Sequence, residues 1–177
     1  MFGRFIFYLL LWHVISGIAI KMSMERTLII LKPSTIERGL IGEVISRFEK
    51  KGLFFVGLKM MQLTDQLLDE HYAHLADKPF FPPIKASMKR TPVIVGCIEG
   101  KECVRIVRQL TGVTNGRDAA PGTIRGDFSM SVLENIIHAS DSIENAQTEI
   151  KRFFAPEEIY TYQLTVHPVL YAPDELN

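Results

Sequence analysis

One histidine, His138, occupies the segment of this sequence with the clearest chemical potential. It follows two apolar residues, Ile136 and Ile137, which favour a short buried strand that would hold its side chain in place. A glycine-rich loop containing Arg125 precedes it, and a guanidinium group has the shape and charge to bind phosphate. Neutral imidazole near pH 7 is a good nucleophile. These residues together predict phosphoryl transfer through a phosphohistidine.

The phosphate must be held by side chains. Neither of the two common glycine-rich phosphate-binding motifs, GxxxxGK[ST] and GxGxxG, occurs in the sequence. The basic candidates are Lys32, Arg108 and Arg125, although an isolated basic residue is usually a solvated surface charge. Lys32 directly follows a predicted buried strand, and Arg125 lies in a glycine-flanked loop, so both are placed better than an ordinary surface cation.

The elements that would position these residues alternate along the chain. Apolar patterning predicts strands over residues 27–31, 53–61, 92–98 and 136–137. Helical spacing and capping residues predict helices over residues 41–48, 64–75, 103–110, 130–134 and 143–153. Thr64 is the predicted cap of the second helix, and Asp141 with Glu144 that of the last. The order β-α-β-α-β-α-β predicts an α+β fold, a ferredoxin-like sandwich with a four-stranded antiparallel sheet and helices packed on one face.

Bulk composition narrows the classes of protein. The 177 residues fit one domain with a sizeable core, and 20 basic and 20 acidic residues give a formal net charge of zero. We therefore expect no overall electrostatic attraction of the protein to nucleic acid. Cys97 and Cys103 form neither a CxxC pair nor a metal-ligand cluster, so we expect ordinary reduced thiols in a cytoplasmic protein.

The first residues differ from the rest. Residues 5–20 are apolar, which is short for a membrane span but long enough for the core of a signal peptide. Translation starting at Met22 or Met24 would make residues 1–23 an upstream extension; a signal peptide and an anchor are the alternatives. A membrane-tethered interaction protein is a hypothesis resting on this stretch alone. We expect no stable membrane association.

Several separated motifs occur in one order along the chain. They are Lys32-Pro33, Arg38-Gly39-Leu40-Ile41-Gly42-Glu43, His71-Tyr72, Lys78-Pro79-Phe80-Phe81, Thr114-Asn115, Pro121-Gly122-Thr123-Ile124-Arg125-Gly126-Asp127 and Asn135-Ile136-Ile137-His138-Ala139-Ser140-Asp141-Ser142. From about Glu25 to Tyr162 the sequence resembles nucleoside diphosphate kinases. The resemblance implies the ferredoxin-like fold, a homo-oligomer (tetramer or hexamer) and a nucleotide substrate with Mg²⁺ bound through its phosphates and not directly by the protein. It also implies a catalytic domain over residues 24–162 and a C-terminal tail over residues 163–177.

The same resemblance implies a role for individual residues. His138 corresponds to the phosphorylated nucleophile, and Glu149 to the carboxylate that holds its other nitrogen. The implied nucleotide contacts are Lys32, Arg108 and Arg125 for phosphate and sugar, Thr114 for phosphate, Asn135 with Lys32 for the ribose 3′-hydroxyl, Phe80 for the base, and Tyr72 beside the histidine and lysine.

Other interpretations stay open for some of these residues. Phe80 could belong to the core or an oligomer interface, and Glu149 to a solvated helix face. His71 and His74 could suggest a metal site, but this spacing is common in ordinary helices and the sequence supplies no further ligands. The whole chain could also be a nucleotide-binding regulatory module in which the histidine is chemically idle.

The sequence departs from the family pattern in three places. Ser34-Thr35 replaces the common Asp-Gly after Lys-Pro, which removes no proposed contact. Ala139 stands where glycine is commonest, so the backbone would be strained there if it needed a positive φ. Gly116 stands where proline is frequent, which bears on assembly and thermal stability before it bears on chemistry.

Overall fold

The computed structural model describes residues 24–176, so the predictions for residues 1–23 lie outside the described part of the chain. The strands are β1 (Met24–Leu31), β2 (Phe54–Met61), β3 (Val93–Lys101) and β4 (Ile137–Ala139). The α-helices are α1 (Pro33–Glu37), α2 (Ile41–Lys50), α3 (Asp65–His71), α4 (Phe81–Met88), α5 (Cys103–Thr111), α6 (Ile124–Phe128), α7 (Ile143–Phe153) and α8 (His167–Leu170). Short 3₁₀ helices span Ala73–Leu75, Pro156–Glu158 and Pro173–Leu176.

The four strands form one antiparallel sheet in the order β2-β3-β1-β4. This confirms the predicted fold class. β1 lies inside the sheet, and its register places Ile30 directly opposite His138 of β4. The nucleophile candidate is therefore part of the strand, whereas the sequence predicted that the strand ends before it.

Both faces of β1 are buried. All four residues from Leu28 to Leu31 have 0% exposure, so the prediction that helices pack on one face was too simple. One face carries the main core, in which Ile29 and Leu31 pack with Ile137 and Ala139. Because side chains alternate along a strand, His138 points away from that core. The site therefore occupies the face of the sheet opposite to the main core.

Two local predictions were wrong, and four helices (α1, α4, α6 and α8) lie where the sequence predicted none. Residues 130–134 form bends, not a helix, because the Ser131 hydroxyl accepts the amides of Leu133 and Glu134 and so competes with helical bonding. Helix α1 was not predicted; it begins at Pro33, where the missing amide hydrogen costs nothing. The cap of α7 is Ser142, whose side chain accepts from the amide of Asn145, instead of Asp141. The predicted cap of α3, Thr64, is confirmed.

The two backbone departures have different outcomes. Ala139 is paired with Ile29 in the sheet and does not have a positive φ, so the expected strain is absent there. A positive φ occurs instead at Ile136, at 73°; among the described residues Glu102, at 49°, is the other non-glycine residue of this kind. Gly116 is required by a close approach, because a Cβ at this position would collide with the backbone carbonyl and side chain of Ser129. A proline would also lose the 3.4 Å hydrogen bond from the Gly116 amide to Ser131.

Residues 24–163 form one compact unit. Residues 164–176 are described by themselves and contain α8 and the last 3₁₀ helix. Among the described residues, no helix has both the length and the apolar character needed to cross a bilayer. Cys97 and Cys103 are buried and have free thiols.

Candidate active site

A cleft of about 820 Å³ is lined by all nine residues that the sequence analysis predicted for the site. Strand β4 supplies His138, and the turn that follows β1 supplies Lys32. The other predicted site residues that line the cleft are Tyr72, Phe80, Arg108, Thr114, Arg125, Asn135 and Glu149. Residues far apart in the sequence thus meet in one space large enough for a small ligand.

His138 is oriented by a carboxylate. Its Nε2 lies 3.0 Å from Oε2 of Glu149 on α7, and the Ser140 hydroxyl donates to the same oxygen at 2.6 Å. Burial alone would raise the pKa of Glu149, but the hydrogen bond and charge of His138, helped by Ser140, hold this pKa below its ordinary value. An ionised Glu149 keeps a proton on Nε2, which leaves the lone pair on Nδ1. Within the described residues Nδ1 forms no hydrogen bond, so it is free to attack an electrophile.

Lys32 and Asn135 form a polar pair at the floor of the cleft. The Lys32 ammonium donates to Oδ1 of Asn135 at 2.6 Å, and the Asn135 amide donates to the carbonyl of Thr114 at 3.0 Å. Burial, reinforced by the nearby Arg125 and opposed by Glu134, lowers the pKa of Lys32 to about 8. The ammonium is therefore charged at neutral pH, with its charge only just retained.

Arg125 has a structural task as well as a place in the cleft. Its guanidinium donates to the carbonyls of Asn135 at 3.3 Å, Gly112 at 2.7 Å and Ile137 at 2.6 Å. Burial, together with Arg108, lowers its pKa to about 10, so it remains a cation at neutral pH. Arg125 thus fixes the backbone on both sides of Ile136 while it places positive charge near His138.

Three of the four remaining candidates lie at the open side of the cleft. Arg108 and Thr114 are exposed. The Arg108 guanidinium makes no hydrogen bond within the described residues, whereas its backbone carbonyl accepts the Gly112 amide at 3.0 Å. Phe80, the residue before α4, is 50% exposed, so it belongs to the cleft rim and not to the core. Tyr72 is buried, and burial followed by the charge of Glu149 raises its pKa. These side chains surround the space that faces His138.

The sequence matches the model of a known protein family. The family model described as nucleoside diphosphate kinase matches residues 25–159, which is most of the chain. The chain belongs to the nucleoside diphosphate kinase family. The predicted family, enzyme class and activity, phosphotransfer between nucleotides, are thereby confirmed.

Relatives of this family are similar over nearly their whole length. A nucleoside diphosphate kinase of Parabacteroides distasonis is 62% identical over 152 residues, which cover 86% of this chain and 99% of the relative. A nucleoside diphosphate kinase from Pyrococcus horikoshii is 52% identical over 141 residues, which cover 78% of this chain and 90% of the relative. The solved structure of the Halobacterium salinarum nucleoside diphosphate kinase in complex with CDP superposes with a TM-score of 0.81 and 41% identity, covering 84% of this chain and 99% of that one.

Two residues of this nucleoside diphosphate kinase site were not assigned a role from sequence. Ser140 links Glu149 to β1, since its oxygen also accepts the Leu28 amide at 3.2 Å. His71 lies beside His138, with ring centroids 4.6 Å apart. Burial and then the neighbouring His138 lower the pKa of His71 to about 3, so its ring is neutral at neutral pH. Its position directly before Tyr72 within a family motif was the available signal.

Proposed function

We propose that His138 carries the phosphoryl group between the two nucleotides in a ping-pong reaction. The Nδ1 lone pair attacks the γ-phosphorus of a nucleoside triphosphate, and the bond to the β-phosphate oxygen breaks to release the diphosphate. A terminal oxygen of a second diphosphate then attacks the phosphohistidine and restores the free imidazole. The hydrogen bond between Nε2 and Glu149 carries this proposal, because it leaves Nδ1 unprotonated and stabilises the cation formed on phosphorylation.

Positive side chains supply the electrostatic part of the reaction. Negative charge on a transferring phosphoryl group is spread over its equatorial oxygens, so catalysis consists mainly of positioning and charge stabilisation. The cleft that holds His138 is also lined by Lys32, Arg108, Arg125 and Thr114. None of these four side chains is a carboxylate, so we assign Mg²⁺ to the nucleotide phosphates, with which it enters as part of the substrate.

We assign the sugar and the base to different side chains of the cleft. The Lys32–Asn135 pair offers donors to a ribose hydroxyl at the floor of the cleft. Phe80 offers an exposed ring on which a base can stack, and stacking tolerates every base because it does not read hydrogen-bonding edges. The Halobacterium salinarum relative was solved in complex with CDP, which supports a nucleotide as the ligand of this chain.

We further propose a cytoplasmic homo-oligomer, either a tetramer or a hexamer, built from a domain over residues 24–162. Strand β2 is one of the two outer strands of the sheet, and it exposes Leu58 (51%) and Met60 (54%). An edge strand with exposed apolar side chains favours pairing with a second copy of the chain. The tail, residues 163–177, lies outside the proposed catalytic domain.

Labelling separates the proposed enzyme from a regulatory module. Incubation with γ-labelled ATP and Mg²⁺ should give a phosphoprotein that is labile to acid and stable to alkali, and added GDP should remove the label as GTP. A protein that binds ADP saturably, yet neither takes up label nor turns over, would instead be a nucleotide sensor. The protein should be tested with and without residues 1–22, because the mechanism requires nothing from that stretch.

The pH dependence of kcat/KM should reflect the ionisation of Lys32. With a pKa of about 8, the free enzyme loses this positive charge as the pH rises. We expect kcat/KM to fall on the alkaline side with an apparent pKa of about 8, since kcat/KM follows the ionisations of the free enzyme. ATP and deoxyADP are suitable substrates because their base stays neutral over this range.

Lys32→Arg is the matched control for this pH profile. Arginine stays charged throughout, so the alkaline limb should disappear even if activity at neutral pH is lower because of the different side-chain shape. An unchanged limb in this variant would assign the ionisation to another group.

A further inference from the structure

His71 brings a second imidazole to the nucleophile. It is the last residue of α3 and is 6% exposed. Its Nδ1 lies 3.9 Å from Oε1 of Glu149, while the other oxygen of that carboxylate accepts from His138 at 3.0 Å. Glu149 therefore stands between two histidines that come from different elements. The neighbouring His74 does not belong to this group.

The three side chains form a set of metal-binding atoms. One ligand atom from each of His71, His138 and Glu149 lies within 4.8 Å of the others. Two histidines and one glutamate are a known donor set for zinc, with zinc–ligand distances of about 2.0–2.2 Å. Ligand atoms around one zinc ion are closer together than 4.8 Å, so small side-chain rotations would complete the set. Two imidazoles also select against Mg²⁺, which prefers oxygen ligands.

We propose that His71, His138 and Glu149 bind a zinc ion, and that this ion blocks phosphorylation of His138. The metal would occupy the position of the proton between Nε2 of His138 and Glu149. A neutral imidazole bound to metal through Nε2 carries its proton on Nδ1, which removes the lone pair that attacks phosphorus. Zinc and the phosphoryl group therefore require opposite tautomers of one ring. Occupation by zinc converts the nucleophile into a metal ligand.

One cation opposes the metal. Nη1 of Arg152 lies 3.4 Å from Nδ1 of His71, and its Nε is paired with Glu70 at 2.7 Å. Positive charge this close to a ligand atom disfavours a second cation, although the pairing with Glu70 reduces the effect. Removing the Arg152 charge should therefore strengthen zinc binding. A purely adventitious zinc contact elsewhere on the protein would not respond to this change.

Calorimetric titration tests binding without any need for catalysis. ZnCl₂ is added to the nucleotide-free full-length protein in buffer with excess Mg²⁺, and we expect one zinc ion per chain. His71→Gln and Glu149→Gln should each weaken binding by about tenfold or more, while Arg152→Gln should tighten it. His74→Gln is the matched control and should bind as the unaltered protein does. Glu149→Gln preserves side-chain shape, so it serves if His71→Gln does not fold by circular dichroism.

The absence of one-to-one binding, or equal binding by the unaltered protein and Glu149→Gln, would overturn the site. The blocking step rests on the proposed function and has its own readout. Protein loaded with zinc, freed of excess metal and then given labelled ATP should incorporate at least about tenfold less label, and a chelator should restore it. Full labelling of the zinc-loaded protein would overturn the block. Failure to label without zinc would instead count against the proposed function.

Discussion

Replacement of His138 by glutamine should lower kcat for phosphate exchange between nucleotides by about four orders of magnitude or more, as expected for loss of a covalent nucleophile. Glutamine can still donate a hydrogen bond to Glu149, so the contact at 3.0 Å in the unaltered protein has a substitute. It has no lone pair able to take the phosphoryl group. Steady-state kinetics should therefore show the loss of turnover. The labelling experiment should show the loss of the covalent intermediate.

Nucleotide binding should survive this change. Residues other than His138 supply the groups proposed to hold phosphate, sugar and base. The Kd for ADP should therefore stay within about tenfold of the value for the unaltered protein. Such a separation of turnover from affinity distinguishes a lost nucleophile from a collapsed site. A glutamine variant that keeps a substantial fraction of kcat would rule out His138 as the phosphoryl carrier.

Replacement of Arg125 by methionine should damage both catalysis and folding. Loss of the cation should lower kcat/KM by about 10²–10³, comparable to the loss of one donor that stabilises transition-state charge. The carbonyls of Asn135, Gly112 and Ile137 would lose their donor in a largely buried region. Unsatisfied buried polar groups cost about 1–3 kcal/mol each, so we expect the free energy of unfolding to fall by ~3 kcal/mol or more. Denaturant unfolding and steady-state kinetics measure the two effects.

Two further variants separate these effects. Arg125→Lys keeps a positive charge but has no planar fork, so it should recover more catalysis than stability. Arg117→Met removes an arginine from the same connection that does not line the cleft, although it contacts the carbonyl of Met130 at 3.2 Å. We expect this control to change kcat/KM little. A stable Arg125→Met protein would show that the three carbonyl contacts contribute little to folding.

The sequence predicts the elements well where the signal is local. Apolar periodicity identified all four strands, and Thr64 was identified as a cap, because both depend on neighbouring residues. The predicted helix over residues 130–134 failed because the Ser131 hydroxyl offers its amides another acceptor. Such competition between a side chain and the backbone depends on local geometry, which periodicity does not contain.

The site likewise has a part that the sequence predicts and a part that only the fold creates. Motif order pointed to residues that all line one cleft, whereas the surroundings of His138 depend on distant contacts. His71 comes from α3, much earlier in the chain, and only the fold brings its ring against that of His138. The strain expected at Ala139 occurs at Ile136, because the Ile136 carbonyl accepts from the Lys32 amide at 2.8 Å and the Thr35 hydroxyl at 2.5 Å. These donors come from another part of the chain.

Ile136 also has a consequence for the evolution of this protein. A β-branched residue with φ of 73° costs on the order of 1–3 kcal/mol, and that cost is offset by its buried side chain and by the donors around it. Substitutions that relax this turn would gain stability locally but release the strand that holds the ring of His138, the proposed nucleophile. Selection for heat resistance should therefore act elsewhere in the molecule, because greater stability at this turn trades against activity.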